Sequence, residues 1–245
     1  MSDNTNLVPV NLDQLPSTQI GSDDQFADLA KSADYIGRLQ LFTKGKAVNR
    51  KLVGPGNYGI PNGEEVDDLG DTIDIIPLAR RPKAIDMTDN EAIIVNYDPE
   101  AAEFKRIAAK SLEKESHCMY GPSFLVFERS RGLFLEFFCG SKSTRSEAKK
   151  VYSYLPLTQA DIDTKAAHGD DVSEMVPHGP LPLTLNSRLV EKGTYSWHVP
   201  VVVKCSTAFT NFPKQDRVNK EIVTFLTVKD NGVERATVAA DDRAR

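Results

Sequence analysis

This chain is short of sulfur, of long apolar runs and of catalytic motifs, and each shortage removes a class of protein. Its 245 residues hold three cysteines, Cys118, Cys139 and Cys205, too few and too widely spaced for a disulfide framework. They read as buried, reduced and inert thiols. His117 and His198 could join them as zinc ligands, but the close Cys-x-x-Cys spacing of such sites is missing, so neither a metal nor a cofactor is expected. No apolar run nears the roughly 18 residues that span a bilayer. The opening stretch MSDNTNLVPVNLDQLPSTQIGSDDQF has neither the basic start nor the apolar segment of a signal peptide. The expectation is a cytoplasmic protein without membrane contact. A glycine-flanked G-x-S-x-G serine is absent, which argues against a serine hydrolase of that type. No D-x-D, H-x-H or E-x-K stands where strands would gather it around a metal, so a metal-dependent nuclease is a third-rank reading and an enzyme is not expected.

Two near-motifs fail on context. Gly54-Pro55-Gly56-Asn57-Tyr58-Gly59 fits G-x-G-x-x-G, yet Pro61-Asn62-Gly63 follows and forbids the helix that a dinucleotide site needs. It reads as a loop. Gly140-Ser141-Lys142-Ser143-Thr144-Arg145 lies between a strand pattern and a helix pattern but lacks the Gly-Lys pair of a P-loop. It keeps the ingredients of an anion site: a helix start, hydroxyls, Lys142 and Arg145.

What the chain does have is a balanced globular composition with blocky charge. An apolar fraction of 40% and a charged fraction of 27% suit a water-exposed domain with a full core. The net charge is −5, but residues 38–51 carry Arg38, Lys44, Lys46, Arg50 and Lys51 with no acid. Residues 64–74 carry Glu64, Glu65, Asp67, Asp68, Asp71 and Asp74 with no base. These are solvated loop faces, or a basic groove beside an acidic surface.

The richest stretch is YGPSFLVFERSRGLFLEFFCGSKSTRSEAKKVYSYL, residues 120–155. Phe124 and Val126 alternate with Leu125 and Phe127, and Phe134 and Phe138 with Leu135 and Phe137, so both faces of the hairpin 122–139 are apolar. One face meets a core and the other is covered or used. Gly132 closes the turn after Arg129 and Arg131. A helix near 144–153 follows, with Thr144 and Glu147 at capping-box spacing.

Elsewhere, strands are expected at 35–42, 72–78 and 92–97, with Pro77 implying an edge or a bulge. The intervening GKAVNRKLVGPGNYGIPNG reads as turns. A helix over 99–113 is capped by Asp98, with Pro99 first and a stripe of Phe104, Ile107, Ala108 and Leu112. A short helix spans Thr158 to His168 and ends at Gly169. A second hairpin runs from Leu183 through Lys192-Gly193 to Cys205, and a last helix, 214–226, puts Val218, Ile222, Phe225 and Leu226 on one side. The organisation expected is a flexible acidic arm (1–33), one α+β domain (34–228) and a flexible tail (229–245). Hairpins outnumber strand–helix alternations, which predicts an antiparallel α+β fold: an oligonucleotide-binding (OB)-like β-barrel decorated with three or four helices.

Aromatics beside cations on a sheet are what sequence-tolerant single-strand binding uses. Arg129, Arg131, Lys142 and Arg145, with Arg80, Arg81 and Lys83 as a second cluster and Lys192 at the second turn, would hold phosphates; Tyr120, Tyr195 and Trp197 would stack bases. LNSRLVEKGTYSWHVPVVVKCS, residues 185–206, resembles the closing hairpin of phage-encoded single-stranded DNA-binding proteins of the OB barrel type. That resemblance implies a non-enzymatic partner of single-stranded DNA or RNA, with replication proteins as further partners and the host cytoplasm as location. Such proteins commonly end in a strongly acidic tail, whereas this chain ends AADDRAR. The alternative is a phage structural or assembly protein that forms homo-oligomers and whose polar ends order between subunits.

Overall fold

The computed structural model describes residues 36–62, 65–88, 92–113, 116–172, 179–205, 212–227 and 234–235. The expected arm lies outside them, as does the expected tail apart from Glu234 and Arg235. The chain order is β1 (Gly37–Leu41), α1 (Lys46–Asn49), β2 (Tyr58–Asn62), β3 (Glu65–Gly70), β4 (Thr72–Asp86), β5 (Ala92–Asn96) and α2 (Ala102–Lys110). There follow β6 (Cys118–Glu128), β7 (Leu133–Phe138), α3 (Lys142–Tyr152), α4 (Gln159–Ala167), β8 (Leu183–Lys192), β9 (Tyr195–Lys204), α5 (Gln215–Thr227) and β10 (Glu234–Arg235).

The fold is α+β, with one mostly antiparallel sheet. Its path runs β10-β5-β4-β6-β7-β1-β2-β3, and the β8–β9 hairpin branches from the first residues of β4. The β1–β7 pair is parallel. Among the described residues no pairing closes the sheet into a barrel. At β9 the physical reason is visible: the Val202 N–H donates to Glu147 Oε2 at 3.2 Å, so a helix residue occupies a bond that a neighbouring strand would make. Pro200 has no N–H to offer.

Both faces of the central strands are buried, as the alternation implies. Phe124, Val126, Leu135 and Phe137 join Tyr58, Leu183 and Leu185, with Ala148 and Val151 of α3, in the main core. Leu125, Phe127 and Phe134 face the other way and pack on Val218, Ile222 and Phe225 of α5. The second apolar face is therefore covered by the last helix. Leu226 stands outside this contact and is exposed.

Several boundaries differ from the expected ones. The β4 strand continues to Asp86 because two prolines hide its second half. Pro77 sits at a register shift, and Pro82 lies opposite Pro122. From 77 to 83, β4 pairs only with β6 among the described residues, so a missing N–H can be tolerated there. The turn-rich stretch contains α1 and β2, and the acidic run forms β3, paired with β2. Helix α2 begins later than expected. Asp98 instead accepts from the Glu100 N–H at 2.9 Å in the preceding turn, and Leu112 lies beyond the helix, 60% exposed. Helix α4 matches closely: Thr158 and Asp161 cap it reciprocally, and Gly169 takes φ +84°.

Candidate functional site

The connection from β7 to α3 is built by close backbone approach. A Cβ on Gly121 would lie 2.2 Å from the Cys139 carbonyl oxygen, and one on Gly140 would lie 2.4 Å from the Phe138 ring. Only hydrogen fits against the Cys139 backbone, and at Gly140 the Phe138 ring would have to move. The Cys139 N–H then donates to the Pro122 carbonyl at 3.0 Å, which fixes where α3 starts.

Helix α3 starts two residues earlier than its sequence suggests. Ser141 is the N-cap: its hydroxyl accepts from the Thr144 N–H, and Thr144 Oγ1 accepts from the Ser141 N–H, both at 3.1 Å. Glu147, freed from capping, reaches the β9 edge and binds Lys150. The helix carries Lys142, Arg145, Lys149 and Lys150 against a single acid, Glu147.

Two arginine–tyrosine pairs tie α3 to the strands beneath it. The Arg145 guanidinium lies 4.5 Å from the Tyr120 ring centre, and Arg80 lies 4.6 Å from that of Tyr152. Arg145 and Tyr152 are seven residues apart, so they share a helix face about 10 Å long. Arg80 pairs with Phe124, four residues along β6 from Tyr120, or about 13 Å. The two pairs thus form a strip of cations and π-faces. Tyr152 is half exposed and Arg80 is exposed. Sequence reasoning passed over Tyr152; its seven-residue spacing from Arg145 was the available signal.

A cleft of about 230 Å³ adjoins the strip at the start of α3. Ser141 and Thr144 line it on the helix side, Trp197 and His198 from β9, and Phe137 and Phe138 from β7. His198 Nδ1 and Ser187 Oγ are buried without a hydrogen-bond partner among the described residues. Gly56 lets its loop lie against both, since a Cβ there would sit 2.7 Å from His198 Nε2 and 3.0 Å from Ser187 Oγ.

The other expected site residues are placed apart. Arg81 and Lys83 are buried on the α5 side, where Glu136 accepts from Arg81 at 3.1 Å, from Lys83 at 2.7 Å and from the Ser123 hydroxyl at 2.7 Å. Arg81 also donates to the Phe225 carbonyl at 2.6 Å and stacks on Tyr97, 3.5 Å from the ring centre. Burial pushes the Glu136 carboxyl up, but Lys83 and Arg81 outweigh it and hold the group down at about 2. Burial wins at Lys83, which shares one carboxylate with Arg81 and has Arg38 nearby; its amine falls to about 8. Arg129 pairs with Asp74 at 3.2 Å and Arg131 with Asp67 at 2.8 Å, so the first hairpin tip is ion-paired to the acidic run. Lys192 and Tyr195 face each other at the second tip, with Tyr195 71% exposed. The structure therefore brings together Arg80, Tyr120, Arg145 and Trp197 around α3, whose first residue is Lys142, and separates Arg81, Lys83, Arg129, Arg131, Lys192 and Tyr195 from them.

The cysteines are buried. Burial also raises the Cys139 and Cys118 thiols, with the Asp86 carboxylate adding to the effect at Cys118. Comparison with protein-family models, curated proteins and solved structures finds no match to this chain.

Proposed function

We propose that this protein binds single-stranded nucleic acid along the strip between α3 and strands β4 and β6. The observation that carries the reading is the paired arrangement of Arg80 on Tyr152 and Arg145 on Tyr120. Such a surface offers bases a π-face and phosphates a cation without selecting sequence. The excess of base over acid on α3 supports it locally, despite the net charge of −5. On this reading the sheet is an OB-like barrel left open beside β9, and the role is binding, not catalysis.

Fluorescence anisotropy of labelled single strands against matched duplex, at low and moderate salt, tests it. Binding to the single strand should weaken steeply with salt as phosphate contacts exchange for ions. Replacing Arg80 and Arg145 by Ala should weaken binding by about tenfold or more, since two cations that hold phosphate are lost. Absence of binding at low salt would discard the reading.

One observation favours a second reading, an assembly protein. The β8–β9 hairpin extends beyond Asn186, its last partner on β4, and leaves Leu189 and Tyr195 exposed. A size in solution that rises with concentration, without nucleic-acid affinity, would favour it.

A further inference from the structure

We infer that the cleft at the start of α3 is a receptor for one nucleotide unit, its base held against Trp197 and its phosphate at the helix start. The inference rests on the nucleic-acid reading for its ligand class and deepens it, since the cleft adjoins the strip through Thr144 and Arg145.

Size limits the ligand first. At about 230 Å³ the cleft lies below the roughly 300 Å³ at which pockets for drug-sized molecules begin, so it suits a single ring system and not a length of chain. Lining chemistry limits it next. Trp197 and Phe138 present aromatic surface, and Met119 adds a polarisable thioether. Gln40 and Thr43 supply an amide and a hydroxyl at the same cleft, groups able to read the edge of a base. His198 lines the cleft as well, with its Nδ1 buried and without a hydrogen-bond partner among the described residues.

The helix start supplies the rest. The capping box satisfies the Ser141 and Thr144 N–H groups. Helix geometry leaves the Lys142 and Ser143 N–H groups without an intrahelical acceptor. An anionic group is favoured at such a terminus, and here it would lie beside an aromatic wall. Base and phosphate are the two halves of this ligand, and the cleft offers one surface to each.

The full chain gives a direct readout, because Trp197 is its only tryptophan. Its emission should be quenched saturably by adenosine or uridine 5′-monophosphate. Adenosine should bind several-fold more weakly, and inorganic phosphate alone should leave the emission unchanged. Thr43→Phe, which fills the cleft without touching the capping box, should weaken monophosphate binding by about tenfold or more, equivalent to about 1.4 kcal/mol. If that variant melts early, Gln40→Ala takes its place, with a smaller loss expected. Emission that stays flat with millimolar monophosphate overturns the inference, as does equal quenching by phosphate alone. Flat emission alongside retained oligonucleotide anisotropy removes the cleft and leaves the strip. Saturable quenching by a monophosphate without oligonucleotide binding does the reverse.

Discussion

Arg80 and Arg81 are neighbours in the chain and opposites in the fold. Successive residues of a strand point to opposite faces, so one arginine emerges beside α3 and the other is sealed under α5. Arg80 stacks on a half-exposed tyrosine and keeps its guanidinium in reach of solvent. Arg81 is enclosed by Tyr97, Phe225 and Glu136, and bonded to the Phe225 carbonyl. The same side chain is solvent-facing in one setting and structural in the other. A basic cluster read from sequence is thus two populations, and only burial separates them.

Removing the carboxylate on the sealed side should have the largest effect. Glu136→Ala leaves Arg81 and Lys83 without their shared counter-charge, and should cost about 3–5 kcal/mol in denaturant unfolding. On the open side Arg80→Ala should shift stability by no more than about 0.5 kcal/mol. Equal losses at the two sites would break the contrast.

The pH dependence should sharpen it. Lys83 titrates near 8 in the fold against 10.5 ordinarily, so between those values the unfolded chain keeps a proton that the folded chain has lost. Stability should therefore rise with pH across that window, by at most about 3 kcal/mol, and Lys83→Met should flatten the rise. Glu136 acts at the other end. Its depressed value gives stability that is full above about 4.5 and lost as pH falls toward 2. Urea titrations of both forms across pH would check each slope.

A smaller effect is expected where the backbone is crowded. Gly121→Ala places a Cβ against the Cys139 carbonyl and should cost about 1–3 kcal/mol, because backbone has to move. Gly132→Ala has open space but φ +67°, and about 1 kcal/mol should suffice. Thermal melts of the pair would rank them. The smallest effect should be on affinity at the first hairpin tip. Arg129 and Arg131 already face Asp74 and Asp67, so their double replacement by Ala should weaken oligonucleotide binding less than loss of Arg80 and Arg145.

Much of the fold was legible in local pattern. The two long hairpins, α4 with its Gly169 stop and the buried stripe of α5 follow from alternation, glycine at a helix end and a 3.6-residue period. The second half of β4 was hidden because Pro77 and Pro82 signal termination, while an edge that makes few strand bonds tolerates both. The β3 strand was hidden because its acids suggest solvent, although Asp67 gains Arg131 across the fold. At the candidate site Arg145, Lys142 and Trp197 were legible, but Tyr152 and His198 were not, since their roles depend on which strands lie beneath α3.

The sequence by itself determined the elements and their two-faced character, because alternation and capping act over a few residues. Tertiary structure decided which cations remain available. That choice depends on desolvation and on partners far apart in the chain, such as Glu136 for Lys83 and Tyr152 for Arg80, and no local pattern contains it.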